Sequence, residues 1–275
     1  MCRKTISVWM ALILSAFLFA ACNGGKDKDK KKAADEAART PYKETGDEAT
    51  VKGIVKFDGT PPASKRIDMS QDSNCAKAGG SSMTDDVQVA DGKLANVFVY
   101  VKGGKIDGYS YPTPSSPVTL DQQGCRYHPR VMGIQVNQAF RVTNSDPTTH
   151  NVHPTPKVNR EWNQSQTQGQ AAIEEKFLRQ ETLVPVKCNQ HPWMKAHVGV
   201  LAHPYFAVTA QDGSYTIKGV PPGTYTVVAW HETFGEQTMS VTVGAKESKT
   251  QDFTFKVGTA YAPSSLEIQP ALVLP

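Results

Sequence analysis

From residue 50 onward the chain runs in short stretches in which apolar and polar side chains alternate, each broken by Gly, Pro, Asp or Asn. Thr50-Val51-Lys52-Gly53-Ile54-Val55-Lys56-Phe57 sets the pattern and ends on Asp58-Gly59, with Pro61-Pro62 behind it. A period of two sends one set of side chains to a core and the other to water, the mark of a half-buried strand. The same reading predicts strands over 94–101, 131–136, 139–143, 182–187, 198–202, 205–209, 215–217, 224–230, 238–243 and 252–257. Strands this short, near-regularly spaced and rich in β-branched and aromatic residues, predict an all-β fold of sandwich type. Only 171–179 carries a helix-like pattern, and it reads equally well as a strand entering the core.

The first fifty residues follow different rules. Arg3 and Lys4 precede an apolar run from Ile6 to Ala21, and the 16 residues of that run fall short of the 18 or more expected of a spanning helix. A basic entry, a short apolar stretch and small residues before Cys22 read as an export signal over 1–21. Phe19-Ala20-Ala21-Cys22 resembles the lipobox of bacterial lipoproteins, which implies a lipid on Cys22 and an anchor to a membrane facing the periplasm or cell surface. Phe19 departs from the aliphatic residue usual at that place, which leaves plain cleavage open. Residues 24–49 hold seven basic and seven acidic side chains and almost no apolar bulk. Such a segment cannot bury enough surface to offset its ordering entropy, so 22–49 reads as a disordered tether spanning roughly 30 Å.

Charge narrows the partners little. Formal net charge is +4, and without Arg3 and Lys4 it is 28 − 26 = +2. That is no footprint for a nucleic acid. Cysteine usage is more telling. Setting aside Cys2 and Cys22 leaves Cys75, Cys125 and Cys188, and in an oxidising compartment Cys75 and Cys125 are free to pair. A bridge between them would close a 50-residue loop, worth roughly 4 kcal/mol in the chain-entropy picture. Cys125-x-x-His128 as half of a metal site is the rival use.

The densest chemistry lies in Cys188-Asn189-Gln190-His191-Pro192-Trp193-Met194, with a further imidazole at His150. A thiolate, two imidazoles and a thioether are the ligands of a mononuclear type 1 copper site, in which two His and one Cys form a plane and Met binds weakly along the axis. Soft sulfur suits Cu(I) and imidazole suits both oxidation states, so His150, Cys188, His191 and Met194 predict one copper per chain that carries single electrons. The rival for Met194 is core filler, since Met packs anywhere. His153 stands three residues from His150 and would face the other side of a strand. His197, His203 and His231 read as structural or solvated, with a secondary metal surface left open.

Two blocks carry family patterns. Tyr127-His128-Pro129, Ile134-Gln135-Val136, Phe140-Arg141-Val142-Thr143-Asn144, His150-Asn151-Val152-His153 and Cys188-x-x-His191-Pro192-x-Met194 resemble the cupredoxins of the amicyanin and plastocyanin kind. The resemblance implies a Greek-key β-sandwich and non-enzymatic electron transfer between a redox donor and an acceptor protein near the membrane. It further implies that Asn151 bonds across to Asn189, and that Pro192 and Trp193 rim an exposed edge of His191 where electrons pass. Copper delivery or sequestration, and a β-sandwich binding module without redox chemistry, are the alternatives. The second block, 205–217 with Gly219-Val220-Pro221-Pro222-Gly223, resembles a transthyretin-like, carboxypeptidase regulatory-like sandwich. That family opens on a Gly-x-Val strand and a Gly-x-Pro turn, found here far upstream at Gly53 and Gly59. The expected organisation is therefore one sandwich from 50–103 plus 204–257, a cupredoxin domain over 104–203 inserted in it or fused to it, and a tail over 258–275; the alternative is that three consecutive pieces share one irregular sandwich.

Overall fold

The computed structural model describes residues 39–77 and 83–257. The export signal, Cys22, most of the tether and the tail lie outside the described residues. Among those described, no helix is long and apolar enough to cross a membrane.

The chain is all-β and builds two sandwiches. The first pairs a four-stranded sheet (Ile173–Lys176, Ala139–Asn144, Val118–Gln123, Arg126–His128, in spatial order) with a five-stranded one (Gln164–Gln166, His150–Pro154, Glu181–Lys187, Lys195–Leu201, Val131–Gln135). Between them lies a core that includes Leu120, Ile134, Phe140, Val142, Val184 and Val198. The second sandwich takes its sheets from both sides of that block. Phe98–Lys102 sits between Phe206–Val208 and Gly223–His231, and the long strand Ala49–Asp58 pairs with Ser214–Val220, Ser248–Thr250 and Phe253–Lys256. The stretch 171–179 resolves as the strand Ile173–Lys176, antiparallel to Ala139–Asn144, rather than as a helix. Thr40–Pro41, at the end of the expected tether, pairs with Tyr109–Ser110, and Tyr42 packs its ring on Tyr109 and Tyr111. The aromatic ring at Tyr42 gives this stretch something to bury that the Lys/Asp run before it lacks.

The two sandwiches meet through an apolar contact. Phe98–Lys102 is buried on both faces: Val99 and Val101 point into their own core, and Phe98 and Tyr100 point at the neighbouring sandwich. Gly133 and Gly199 lie opposite each other on adjacent parallel strands and leave a flat place for the Phe98 ring. A Cβ at Gly199 would come within 2.3 Å of that ring, and one at Gly133 within 2.2 Å of Phe206. Beside this contact, Arg130 crosses from one sandwich to Glu232 of the other and also pairs with Asp85.

Between Asp58 and Val89 the chain leaves the second sandwich and travels to the end of the first. Its short helix Ser73–Lys77 is fastened there by a disulfide from Cys75 to Cys125. Asn74 Nδ2 donates to the Pro147 carbonyl, and Thr148 Oγ1 donates to Asp72. This excursion is a cap, and what it covers is the cluster described next.

Candidate metal centre

His150 opens the strand His150–Pro154, directly after a turn in which the Asn144 side chain accepts from the Asp146 N–H and donates to the Thr148 carbonyl. Cys188 follows the last residue of the strand Glu181–Lys187, and Met194 precedes the first residue of Lys195–Leu201. The loop between them closes on itself: Met194 N donates to the His191 carbonyl at 2.9 Å and Cys188 N to the Met194 carbonyl at 3.2 Å. A seven-residue loop pinned at both ends holds three donor side chains with little freedom left to lose on binding.

Three of the four side chains predicted as ligands, His150, Cys188 and His191, meet in one buried place, and Met194 is buried at the end of the same loop. His150 and Met194 are fully buried, Cys188 is 2% exposed and His191 5%. The two imidazoles face each other through Nδ1 at 2.9 Å, and Cys188 Sγ stands 3.8 Å from His191 Nδ1. One donor atom from each of His150, Cys188 and His191 lies within 4.8 Å of the others. Two metal–nitrogen bonds of about 2.0 Å at a near-tetrahedral angle set their nitrogens about 3.3 Å apart, so an ion fits here after a shift of a few tenths of an ångström.

Each ring is aimed by a carboxylate on its far side. His150 Nε2 lies 2.8 Å from Asp146 Oδ2, and His191 Nε2 lies 3.2 Å from Asp72 Oδ2. An Nε2–H donated to a carboxylate turns Nδ1 toward the centre, where a metal would take the place of any proton on it. Asp146 is itself fixed by the N–H groups of Gly124 and Cys125, and Asp72 by those of Asn74 and Cys75.

Electrostatics follow from this packing. Burial alone would push His150 down, but the Asp146 carboxylate and Cys188 outweigh it and lift the imidazole to about 9. Burial pushes the Cys188 thiol up; the His150 ring and backbone N–H groups around the sulfur overcome that and hold it below its ordinary value. His191 is pushed down, by burial first and then by the neighbouring His150 charge. The sulfur is thus biased toward the thiolate, which is the form that binds a metal.

Of the predicted supporting residues, Asn151 accepts from the Asn189 N–H at 2.8 Å and from Cys188 Sγ at 3.2 Å, tying the two ligand segments together. Tyr127 OH donates to the Asn151 carbonyl at 2.6 Å. Pro192 is exposed and Trp193 half-buried, its indole N–H donated to the Cys125 carbonyl at 3.0 Å. The expected open edge of His191 is absent: Asp72 and Cys75 of the cap lie against its Nε2, with Cys75 Sγ at 3.7 Å. His153 points away and bonds Asn189 and Glu161. Cys125 is taken by the disulfide and exposed His128 bonds the Gln123 carbonyl, so the rival Cys-x-x-His site has no free thiol.

Asp72 and Asp146 carried no mark in the sequence beyond the turn signal around Asp146. Asp72 reaches its partner from 119 positions away.

A family model for the carboxypeptidase regulatory-like domain matches residues 187–256. No curated protein matches the chain. Among solved structures, a copper-containing nitrite reductase from Thermus scotoductus SA-01 is similar at 20% identity over 31% of this chain, TM-score 0.29. The chain spans only 22% of that enzyme's length. A reduced amicyanin point mutant is similar at 22% identity over 30% of this chain and 81% of its own, TM-score 0.28. A purple cupredoxin from Nitrosopumilus maritimus is similar at 20% identity over 30% of this chain and 97% of its own, TM-score 0.26. Likenesses of this size carry no chemistry, which rests on the side chains above. Residues 187–256 are thus similar to a carboxypeptidase regulatory-like domain, within a chain that is all-β.

Proposed function

We propose that this protein is an exported single-electron carrier whose site of exchange is one type 1 copper held by His150, Cys188, His191 and Met194. The observation that carries the reading is the donor triangle itself: two Nδ1 atoms and one thiolate-biased sulfur turned inward, each imidazole braced from behind by a carboxylate. Copper bound there would supply a one-electron couple, and Met194 would tune its potential. The chain's own part is to hold geometry. Asn151 ties the His150 strand to the Cys188 loop, Asp146 and Asp72 fix both rings, and burial excludes water. A site braced in this way changes oxidation state with little rearrangement and needs no substrate pocket at the metal. Ligands so enclosed favour retention of the ion over its delivery to another protein.

In the same reading, Cys22 carries a lipid and the charged segment after it lets the folded part reach membrane-associated donor and acceptor proteins from the periplasm or cell surface. The cupredoxin-like block is an insertion between the two halves, 50–103 and 204–257, of the regulatory-like sandwich.

Copper titration of the soluble part, read by visible absorption and electron paramagnetic resonance beside Cys188→Ala, tests the proposal. One copper per chain with an intense thiolate-to-copper band that the variant loses is the expected result. Binding that survives in the variant without such a band would point to histidine-based copper handling, and no binding would end the redox reading.

A further inference from the structure

The cap changes where an electron can enter. His191 Nε2, the edge of a ligand ring that would otherwise face solvent, is sealed by Asp72 and by the Cys75–Cys125 disulfide. Both half-cystines are themselves buried. A partner docked on this end of the molecule would meet the cap and not the imidazole.

Trp193 offers another route. Its ring centre is 5.2 Å from that of His191, it belongs to the same closed loop, and its N–H is anchored on the Cys125 carbonyl. It is half-buried, and it lines a half-open cleft of about 400 Å³ where the cap and both sandwiches come together. Arg126 and Arg130 form part of the wall, paired with Asp85 and, for Arg130, with Glu232. With Lys65, Lys195 and Asp86 also on the wall, four cationic side chains face three anionic ones, close to balance. The volume of the recess falls in the range of small-molecule sites.

We infer that Trp193, and not the edge of His191, is the port through which the metal exchanges electrons with one of its partners, a small redox-active molecule of little net charge seated in this cleft. The inference rests on the copper reading above. The step moves one electron: the donor is oxidised by one unit and Cu(II) becomes Cu(I), with no bond made or broken and no proton transferred.

The test begins with the thiolate-to-copper band of the loaded protein, because its absence would remove the copper reading and leave the cleft unaddressed. With the band present, reduction is followed by stopped flow using ferrocenylmethanol, a small uncharged one-electron donor. Trp193→Leu is expected to slow the reaction at least tenfold with the band unmoved, and Trp193→Phe to restore most of the rate. Ser64→Trp, which fills the cleft from the cap without touching a ligand, is expected to slow it as well. In the copper-free protein, acrylamide should quench the emission that Trp193→Phe removes. Rates unchanged in Trp193→Leu and Ser64→Trp would overturn the inference. So would a Trp193 shielded from acrylamide, or a Cys75→Ser/Cys125→Ser double variant that reacts faster while Trp193→Leu does not react more slowly.

Discussion

Two histidines of this chain are equally buried and behave in opposite ways. His150, in the first sandwich, and His231, in the second, are both fully out of solvent. His150 is lifted to about 9, and His231 is pushed down to about 4. Burial acts on both in the same direction, since a low dielectric disfavours the imidazolium. The difference lies in the neighbours. His150 has the Asp146 carboxylate at 2.8 Å and the Cys188 sulfur on its other side. His231 stacks on Phe234, accepts the Thr233 N–H at Nδ1, and has no partner for Nε2 among the described residues. A buried imidazole is therefore not a site by itself. It becomes one when a carboxylate fixes its tautomer and its free nitrogen faces other donors.

The comparison breaks most sharply at the metal. His150→Ala should abolish the thiolate-to-copper absorption, whereas His231→Leu should leave both band and stoichiometry intact. Equal loss in both variants would mean that copper follows folding and not the donor set, and thermal melts of the two metal-free variants would separate these cases.

The next effect is pH dependence, and the two residues lean in opposite directions. The folded-state pKa of His231 lies below its ordinary 6.5, so folding favours its neutral form. The stability tied to it is present above pH 6.5 and is lost as pH falls toward 4. The shift is worth about 3 kcal/mol at full extent. His231→Leu should flatten that acid limb in denaturant titrations between pH 6.5 and 4. His150 is raised, so in the copper-free protein its contribution is complete below 6.5 and is lost as pH rises through 9. Copper on Nδ1 should remove this alkaline limb, because the ring then carries no titrating proton there.

A third measurement isolates the carboxylate. Asp146→Asn keeps the shape but removes the charge behind His150, and bracing groups of this kind are worth about 10- to 100-fold in metal affinity. Competition with a chelator should show a loss of that size. Unchanged affinity would mean that loop closure from Cys188 to Met194 alone sets the site.

The same contrast explains what the sequence could disclose. The four donors stand in recognisable strings, and alternation in 50–57 or 224–230 reports its strands directly. Alternation failed where the buried side was polar. In Val118–Gln123 the inward Gln122 is fully buried and bonds Gln166 Oε1 and the Thr143 carbonyl. Gln164–Gln166 holds the matching buried Gln166. A glutamine pair bonded to each other inside a core reads as loop in one dimension. The cap was hidden for another reason. Asp58 to Val89 has neither alternation nor helix period, and its meaning comes from one disulfide and one carboxylate that contact a loop over 110 residues away. The supposed open edge of His191 was lost for the same cause, as no local pattern encodes what a distant segment covers.

The smallest effect probes how the His150 strand is held. Tyr127 OH donates to the Asn151 carbonyl at 2.6 Å, and Asn151 in turn accepts from Asn189 N–H and Cys188 Sγ. Tyr127→Phe leaves the ring in place and strands a buried carbonyl, at a cost of about 1–3 kcal/mol in stability. Tyr127 touches none of the four donors through this bond, so the copper band should keep its position while chemical denaturation shifts. A moved band with stability unchanged would mean that Tyr127 acts on the metal geometry through Asn151. The link from the His150 strand to the Cys188 loop would then be the part of the site most sensitive to its surroundings, ahead of the carboxylates behind the rings.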